Sequence, residues 1–531
     1  NVDIRGARKG AVSVLIDGVL VTDPYYGTFD VSTIPITDIV QIRMSTSAQS
    51  PIDGPGGPGG VIEVLTRDAI GPQLVMARTT ADTLPSFGVT GTARAALAKN
   101  LALRLSAAGL AGAREFDVNA GQLGENRHAA TAASRLEYRD KTSRFVLDGF
   151  LDDRHYVSPP SETSSILLID RETTERVSAK GDIQRGKLQI QSQAFLHHLH
   201  RISRNFMDAN LTVQQRLENL LASRVGAGTL VTQPINKEAR WTASASVARD
   251  SATATGGMNG RVTGAVTTIE AAGDFQYERG PARVDAAAGV AVPIGIDANP
   301  WPEAKLVGRW RPSYGPIELT ATGARKGRVP SLRERFDSSM GGNTGLDPEF
   351  ASLAELRAIA EVKDRYRVEV ASFFKRTNGT IRRSTDPADM GKLANLDQLD
   401  AYGVDVIARA TVAPRVEVGG AYDFIGLSGG SLDRLPRHRA EGWISGRPEP
   451  RITLVARVRY TGKFYDQAPV TATGPNIPAY TLVEATATAA LSKQYLVVLR
   501  ADDLFNVRPE THLNTFGPGR VISLILQGQW E

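Results

Sequence analysis

From about residue 72 to the C-terminus, apolar and polar side chains alternate with a period of two in segments of about 10 to 14 residues. In RITLVARVRYTG (451–462), the apolar set is Ile452, Leu454, Ala456, Val458 and Tyr460, and the polar set is Thr453, Arg457 and Arg459. Segments of this length cross a bilayer when strands are tilted. The pattern therefore predicts β-strands with one face suited to lipid and the other to water.

The connections between these segments separate a membrane barrel from a soluble sandwich, which would show the same alternation. Short polar turns, such as 140–143, 184–187 and 413–415, alternate with longer connections at 113–127, 153–173, 203–236, 327–353, 378–397, 464–477 and 506–518. Tight periplasmic turns and long external loops are typical of an outer-membrane barrel.

Counting hairpins from residue 72 to 530 gives about 22 strands. A barrel of that size encloses a lumen too wide for side chains to fill, so it needs a plug. We therefore expect an all-β membrane protein, a 22-stranded antiparallel transmembrane β-barrel over residues 72–531. Residues 1–71 would form part of an N-terminal globular plug inside the lumen.

Composition narrows the alternatives. The 531 residues include no cysteine, which excludes disulfides and thiolate metal sites. No apolar segment approaches the roughly 20 residues of a membrane-spanning helix. The net charge of +5 is small and the basic residues are scattered, so nucleic acid is not an expected partner. Only 6% of residues are aromatic, so aromatic girdles should be thin, with Trp530 in the periplasmic one.

A glycine-rich stretch, SPIDGPGGPGGVIEVLTRD (50–68), contains a G-x-G-x-x-G pattern at Gly54, Gly56 and Gly59. A dinucleotide site needs a helix after the third glycine, whereas a strand-like alternation follows here. Pro55 and Pro58 also remove two backbone N–H groups. The stretch does not predict a phosphate site.

Several segments, in order, resemble the TonB-dependent outer-membrane receptors. In the plug these are NVDIRG, VLIDGVLVTDPYYGTFDVSTIP and GGPGGVIEVLTRD, the last being similar to a glycine turn followed by the plug's closing strand. In the barrel, RVPSLRERF and NTGLDPEFASLAELRAIAEV resemble a paired family motif, and PGRVISLILQGQW resembles the last strand. The glycines are then expected to form a tight, positive-φ turn where a side chain would collide.

The chain departs from the family pattern in three places. Asn1 falls within the middle of the family's plug, so the signal peptide, the coupling box and the first part of the plug are expected outside this sequence. Arg43, followed by Ser45, Thr46 and Ser47, stands where the family has an acidic residue and Gly-Pro. Glu531 follows Trp530, where the family ends on an aromatic residue.

The resemblance implies a receptor of the bacterial outer membrane that binds and imports a scarce ligand, a siderophore–iron chelate or a similar large solute. It implies no enzymatic step and no cofactor. The implied partners are outer-membrane lipid or lipopolysaccharide and an inner-membrane TonB-type energy-coupling protein. The alternative is a non-transporting barrel with the same fold, which acts as a scaffold or anchor for surface or periplasmic proteins in a multi-protein assembly.

The segment TDPYYGTF matches an apical loop of the family's plug. Asp23, Tyr25, Tyr26 and Phe29 would present a carboxylate and aromatic faces to a ligand, which suits aryl chelates or flat macrocycles. Alternatively, the rings pack the plug against the barrel wall.

The histidine cluster LHHLHR (196–201) is a candidate for metal capture. His198 and His200 are two residues apart and share a strand face, a spacing that permits metal binding, while His197 points the other way. Strand parity turns His198 and His200 outward, so a position on the exterior rim is favoured over a metal site.

The segment NLTVQQRLENLLASRVGAG (210–228) predicts an amphipathic helix within a long external loop. Val213, Leu217, Leu220 and Leu221 form its apolar stripe, and Thr212 with Gln215 resembles a capping box. Such a helix would either fold onto its own loop or offer a docking face to a partner protein.

Overall fold

The computed structural model describes residues 4–7, 9–118, 121–158, 166–257, 260–337, 341–363, 365–384, 386–389, 391–396, 398–429, 434–466 and 476–531. These residues form a small plug sheet inside a closed barrel. None of the helices in this part of the chain has the length and apolar composition to cross a membrane.

The plug is built on a four-stranded sheet. Its strands are β1 (Val12–Ile16), β2 (Val19–Leu20), β3 (Ile39–Ser45) and β4 (Gly60–Thr66), in the order β2-β1-β4-β3. β1 and β4 are parallel, and the other pairs are antiparallel. A short 3₁₀ turn at Lys9–Ala11 leads into β1, and further 3₁₀ turns at Val31–Thr33, Ile36–Asp38 and Pro51–Asp53 lie in the connections between later strands. Val12, Val14, Val21 and Ile62 are part of its apolar core.

The glycine run forms the turn that leads into β4. Gly60 has a φ of 142°, and a Cβ there would lie 2.7 Å from the Ser45 carbonyl oxygen. A Cβ on Gly59 would lie 2.0 Å from the Cβ of Ala7. The expected tight turn is confirmed, and because a strand follows it, no helix N-terminus is available to bind phosphate.

The first strand after the plug begins at Leu74, and the boundary at residues 71/72 stays a prediction within the short connection after Thr66. The strands from there on are β5 (Leu74–Asp82), β6 (Ser86–Ala98), β7 (Leu101–Val118), β8 (Gly121–Arg139), β9 (Ser143–Ser158), β10 (Ile166–Arg185), β11 (Leu188–Phe206), β12 (Gln214–Pro234), β13 (Ala239–Gly257), β14 (Gly260–Arg279), β15 (Ala282–Ile294), β16 (Trp301–Trp310), β17 (Ile317–Arg328), β18 (Glu349–Val362), β19 (Tyr366–Asn378), β20 (Thr380–Arg383), β21 (Leu393–Leu396), β22 (Leu399–Ala413), β23 (Val416–Ser428), β24 (His438–Glu449), β25 (Ile452–Thr461), β26 (Phe464–Tyr465), β27 (Asn476–Ile477), β28 (Tyr480–Ala490), β29 (Tyr495–Asp502), β30 (Glu510–His512), β31 (Thr515–Phe516) and β32 (Val521–Trp530).

The barrel closes when the last strand pairs with the first. β32 and β5 are antiparallel, with Trp530 opposite Val75, and this pairing completes a ring of 22 strands among the described residues. The strand count expected from the sequence is confirmed. The pairs β20–β21, β26–β27 and β30–β31 are small hairpins outside the barrel sheet, within connections at its long-loop end.

The long connections differ between the two halves of the barrel. In the second half, the residues between β17 and β18 carry the short helix α1 (Leu332–Phe336), and those between β19 and β22 carry a 3₁₀ turn at Pro387–Asp389. In the first half, the expected loops 113–127, 153–173 and 203–236 are mostly strand. β7 to β14 have 16 to 21 residues each, whereas about 10 cross the membrane, so these strands extend beyond it.

The prediction of an amphipathic helix over residues 210–228 is wrong. Val213 precedes β12, while Leu217, Leu220 and Leu221 lie within it. Leu217 and Leu221 face outward, with 46% and 43% exposure, and Leu220 is fully buried on the inner face. Both neighbouring strands pair with β12 along most of its length, which supplies the backbone hydrogen bonds that a helix would otherwise make.

Aromatic residues ring the outer surface at both ends of the barrel. At the short-turn end, the exposed rings include Tyr138, Phe145, Trp310, Tyr366, Tyr495 and Trp530. Toward the opposite end they are Phe87, Phe374, Tyr402, Tyr422 and Tyr460. Between the two rings, most outward side chains are apolar, among them Leu147, Leu196, Val225, Val247 and Ile269, as the alternation predicted.

Buried polar contacts tie the plug to the inner wall. Arg5 Nη1 lies 2.5 Å from Glu355 Oε2, and Arg5 Nη2 lies 2.6 Å from Asp405 Oδ2. On another side of the lumen, Arg135 Nη2 lies 2.6 Å from Asp17 Oδ2. These contacts fix the height and rotation of the plug, and so the place of its apex.

A third contact fixes the glycine turn of the plug. Lys326 Nζ donates to the Gly54 carbonyl (3.1 Å) and to Glu303 Oε2 (2.6 Å), and Glu270 Oε2 lies 3.5 Å away. Lys326 is 1% exposed, so the surrounding carboxylates depend on its charge.

The orientation of the strand faces can be tested in β25. Leu454→Arg places a charge on the outward face and should lower the free energy of unfolding by about 2 to 4 kcal/mol if acyl chains surround it. Urea titration in lipid vesicles measures this effect. Val455→Arg, on the lumen face of the same strand, is the matched control and should cost clearly less. Equal costs would contradict the assignment of the faces.

The Lys326 contact gives a second prediction. Lys326→Met leaves Glu303 and Glu270 without their buried cation and should lower the free energy of unfolding by about 3 to 5 kcal/mol. The exposed Lys392, which pairs with Asp389 at 2.8 Å, is the matched control, and Lys392→Met should change stability little. Adding Glu303→Gln to Lys326→Met should recover part of the loss. Similar values for the two single variants would show that the buried pair does not hold the plug.

Candidate functional site

Residues 21–31 of the plug, which we call the apex loop, lie against the long-loop halves of β9, β10 and β11 and against α1. The carboxylate of Asp23 shapes this loop, because Oδ1 accepts from the backbone N–H groups of Tyr25 (2.7 Å) and Tyr26 (2.8 Å). The backbone N–H of Gly27 closes the turn on the Asp23 carbonyl (2.9 Å). Burial raises the pKa of Asp23, against the opposing effect of the nearby Arg201. Through these hydrogen bonds, Asp23 stabilises the conformation of the apex loop.

Tyr25 packs the apex loop against the barrel wall. Its side chain is 3% exposed and lies in an apolar cluster with Leu199, Leu220, Ala222, Ala252, Val266 and Leu332. Leu332 belongs to α1, which covers the loop from above, and the Arg333 N–H donates to the Tyr25 carbonyl (3.1 Å). A capping box between Ser331 and Glu334 starts this helix.

Tyr26 lies between two guanidinium groups. The Cζ atoms of Arg201 and Arg333 lie 4.3 Å and 4.8 Å from its ring centroid. Burial raises the pKa of Tyr26, so the ring is a neutral phenol between the two cations. The packing of Tyr25 and Tyr26 favours the alternative in which these rings hold the plug to the wall. Ligand contact at these residues stays a prediction.

Phe29 and Asp30 lie beside a cavity of about 380 Å³ between the apex loop and the wall. We call this the outer cavity. Its wall consists of residues in the long-loop halves of β9, β10 and β11, namely Phe150, Arg154, Tyr156, Glu172, Thr174, Arg176, His197, Leu199 and Arg201. The plug side includes Val21, Asp23, Thr28, Phe29, Asp30, Val31 and Thr33. Of the predicted apex residues, Asp23 and Phe29 line this cavity.

Ion pairs organise most of the charge in the outer cavity. Glu172 accepts from Arg154, Arg201 and the Tyr156 hydroxyl (3.3 Å). Arg154 also bonds Asp30 on the plug (2.6 Å), which links the apex loop to the wall. Oxygen- and nitrogen-bearing groups and aromatic rings thus alternate around a space of small-ligand size.

Sequence reasoning missed the residues of the cavity wall. Glu172, Arg176, His197 and Arg201 sit at alternate positions of β10 and β11, so their inward orientation was readable from parity. Their convergence on the apex loop could not be predicted from the sequence, because it depends on which strands the loop faces across the lumen. The inward orientation expected for His197 is confirmed by its 4% exposure.

His198 and His200 lie on the outer face of β11, together with Leu196, which is 47% exposed. His198 Nδ1 is 2.8 Å from Ser223 Oγ, and His200 Nε2 is 3.0 Å from Asn219 Oδ1. Over the described ranges, no three His, Asp or Glu side chains gather in a group that could hold a metal ion.

Comparisons with known proteins place this geometry in a family. The model of the TonB-dependent receptor-like β-barrel matches residues 240–507, and that of the TonB-dependent receptor plug domain matches residues 1–61. A comparison with curated protein sequences gives no match.

Solved structures with the same fold include three transporters or receptors. The ferric enterobactin receptor PfeA of Pseudomonas aeruginosa has a TM-score of 0.84 at 12% identity, covering 99% of this chain and 92% of that one. The copper transporter OprC has a TM-score of 0.85 at 12% identity, covering 99% and 91%. The siderophore receptor PiuA of Acinetobacter baumannii has a TM-score of 0.80 at 13% identity, covering 99% and 90%. At these identities the likeness concerns the fold alone.

The barrel model matches half of the chain, and the plug model matches most of the segment that the structure places inside the barrel. This chain belongs to the TonB-dependent receptors of the bacterial outer membrane.

Proposed function

We propose that the protein binds a scarce, large solute at the outer face of the plug and imports it across the outer membrane. A ferric chelate of a siderophore is the first candidate. Two of the similar structures are receptors for ferric enterobactin or a siderophore, and a third is a copper transporter, so metal-bearing cargo is the class they suggest. The family and these neighbours are receptors and transporters, and the proposed import includes no bond-making step.

The observation that carries this proposal is the outer cavity. It has a volume of about 380 Å³, within the range of ligand sites, and it lies between the plug and the barrel wall. A ligand there would touch the plug at Phe29 and Asp30 and the wall at Arg154 and Arg176. Ligand binding would thereby change the contacts between the plug and the wall.

The plug contacts suggest how binding is coupled to movement. The Asp30–Arg154 pair joins the apex loop to the wall, and a ligand that competes for Arg154 would weaken this tie. A ligand shifts the plug between states only by its difference in affinity for them. Membership of the family implies interaction with TonB, and in this proposal the inner-membrane partner supplies the work. Outer-membrane lipid and lipopolysaccharide surround the apolar belt.

Uptake under iron limitation tests the proposal. A strain without the gene should lose growth on one class of ferric chelate and lose the corresponding ⁵⁵Fe uptake. The full-length gene should restore both, and a strain lacking TonB should show the same loss. Catecholate, hydroxamate and citrate chelates, with a copper chelate in parallel, form the panel.

Unchanged growth and uptake on the whole panel would contradict import of a metal chelate. In that case, stoichiometric subunits that co-purify with the protein from native membranes would identify the scaffold function instead.

A further inference from the structure

Arg176 differs from the other arginines of the outer cavity. Arg154 and Arg201 both bond Glu172, whereas Nε and Nη1 of Arg176 have no hydrogen-bond partner among the described residues. Arg176 is 8% exposed. A buried guanidinium without a carboxylate destabilises the folded protein unless something else compensates.

The carboxylate of Asp152 on the same wall attracts Arg176 electrostatically, but no ion pair joins the two among the described residues. Asp152 accepts from the Thr131 hydroxyl (2.7 Å) and lies 2.8 Å from Arg154 Nε. Arg176 instead lies over the ring of Phe150, with Cζ 3.7 Å from its centroid, and the ring of Phe29 on the plug is 5.6 Å away. The two aromatic faces compensate part of the charge but leave the N–H donors free for hydrogen bonds.

His197 stands beside Arg176 with a second unused group. The two residues are register partners on β10 and β11, so their side chains leave adjacent points of the inner face. His197 is 4% exposed, and its Nδ1 has no hydrogen-bond partner within the described part of the chain. Arg224, the next residue in this row, is already bonded to Asp250 and to the Thr22 carbonyl.

Both side chains also line a second cavity of about 80 Å³, which lies further into the lumen. Arg176 and His197 therefore have open space on two sides. Both side chains border the outer cavity, but their unpaired nitrogen atoms expose almost no surface, so a ligand group reaches them only as the two side chains shift.

We infer that Arg176 and His197 form an anion subsite of the outer cavity that binds a planar oxyanion, a carboxylate or a catecholate, between the rings of Phe29 and Phe150. This inference rests on the proposed function, since it names the chemical class of the cargo. The guanidinium offers parallel N–H groups to two oxygens of a planar anion, and the imidazole adds a third contact. The flanking rings favour a planar, conjugated group over a spherical ion.

The test uses iron-free probes, so that it does not depend on uptake. Sodium citrate and 4-nitrocatechol are titrated into the purified full-length protein in detergent by isothermal calorimetry, with sodium chloride as the reference salt. In weakly alkaline buffer 4-nitrocatechol is an ionised catecholate that carries no carboxylate. At least one probe should bind the unaltered protein, and Arg176→Met should weaken that binding about tenfold or more, as expected for hydrogen bonds to a charged group. The relative affinities of the two probes tell a carboxylate from a catecholate ligand.

Arg171→Met is the matched control. It removes the same charge from the same strand, but Arg171 is 63% exposed, so its loss should leave probe binding unchanged. Arg176→Lys keeps the charge without the planar fork and should give an intermediate affinity. This second variant also keeps the test valid if Arg176→Met folds poorly.

A separate measurement distinguishes a binding role from a structural one. Because Arg176 lacks a carboxylate partner, Arg176→Met should leave the melting temperature of the ligand-free protein unchanged or higher. A melting temperature several degrees lower, equal probe binding by Arg176→Met, or no binding of either probe to the unaltered protein would overturn the inference. Loss of uptake without loss of probe binding, or the reverse, separates this subsite from the proposed import.

Discussion

In a bilayer, no water is present to pair a free backbone N–H or carbonyl, and the architecture of this protein follows from that constraint. Each barrel strand must have a neighbour on both sides, which the pairing of Trp530 with Val75 completes. Closure at 22 strands creates a lumen that side chains alone do not fill. The plug fills part of the lumen, and apart from the apolar cluster around Tyr25 its described contacts with the wall are largely polar.

That polarity explains why charged contacts hold much of the plug, while the apolar cluster around Tyr25 packs the apex loop against the wall. Arg5, Asp17 and the Gly54 carbonyl each meet a charged partner on a different part of the wall. Buried ion pairs add little net stability compared with apolar packing, but each has a defined geometry and is costly to break on one side. Such contacts hold the apex loop in a defined position. They also allow the plug to be released from the wall when its charged groups exchange one partner for another.

The buried polar and aromatic side chains at the apex serve two different purposes. Tyr25 and Tyr26 are enclosed by the wall, by Arg201 and by α1, so their aromatic surface serves to hold the apex loop in place. Arg176 and His197 keep polar atoms without hydrogen bonds although both are more than nine-tenths buried. Departures from full polar satisfaction concentrate at functional sites, where a ligand completes what the fold leaves open.

The sequence alone determined the outward face of strands such as β25 and β11, the number of strands and the nature of the glycine turn, because these depend on short-range periodicity and local sterics. It misjudged 210–228, since Leu217, Leu220 and Leu221 fit a helical stripe as well as an alternating strand. Only pairing with β11 and β13 selected the strand. The outer cavity was likewise decided by tertiary structure. Phe29 and Arg176 are far apart in the chain, and no local pattern records that closure of the barrel brings the apex loop opposite β10 and leaves Arg176 without a carboxylate.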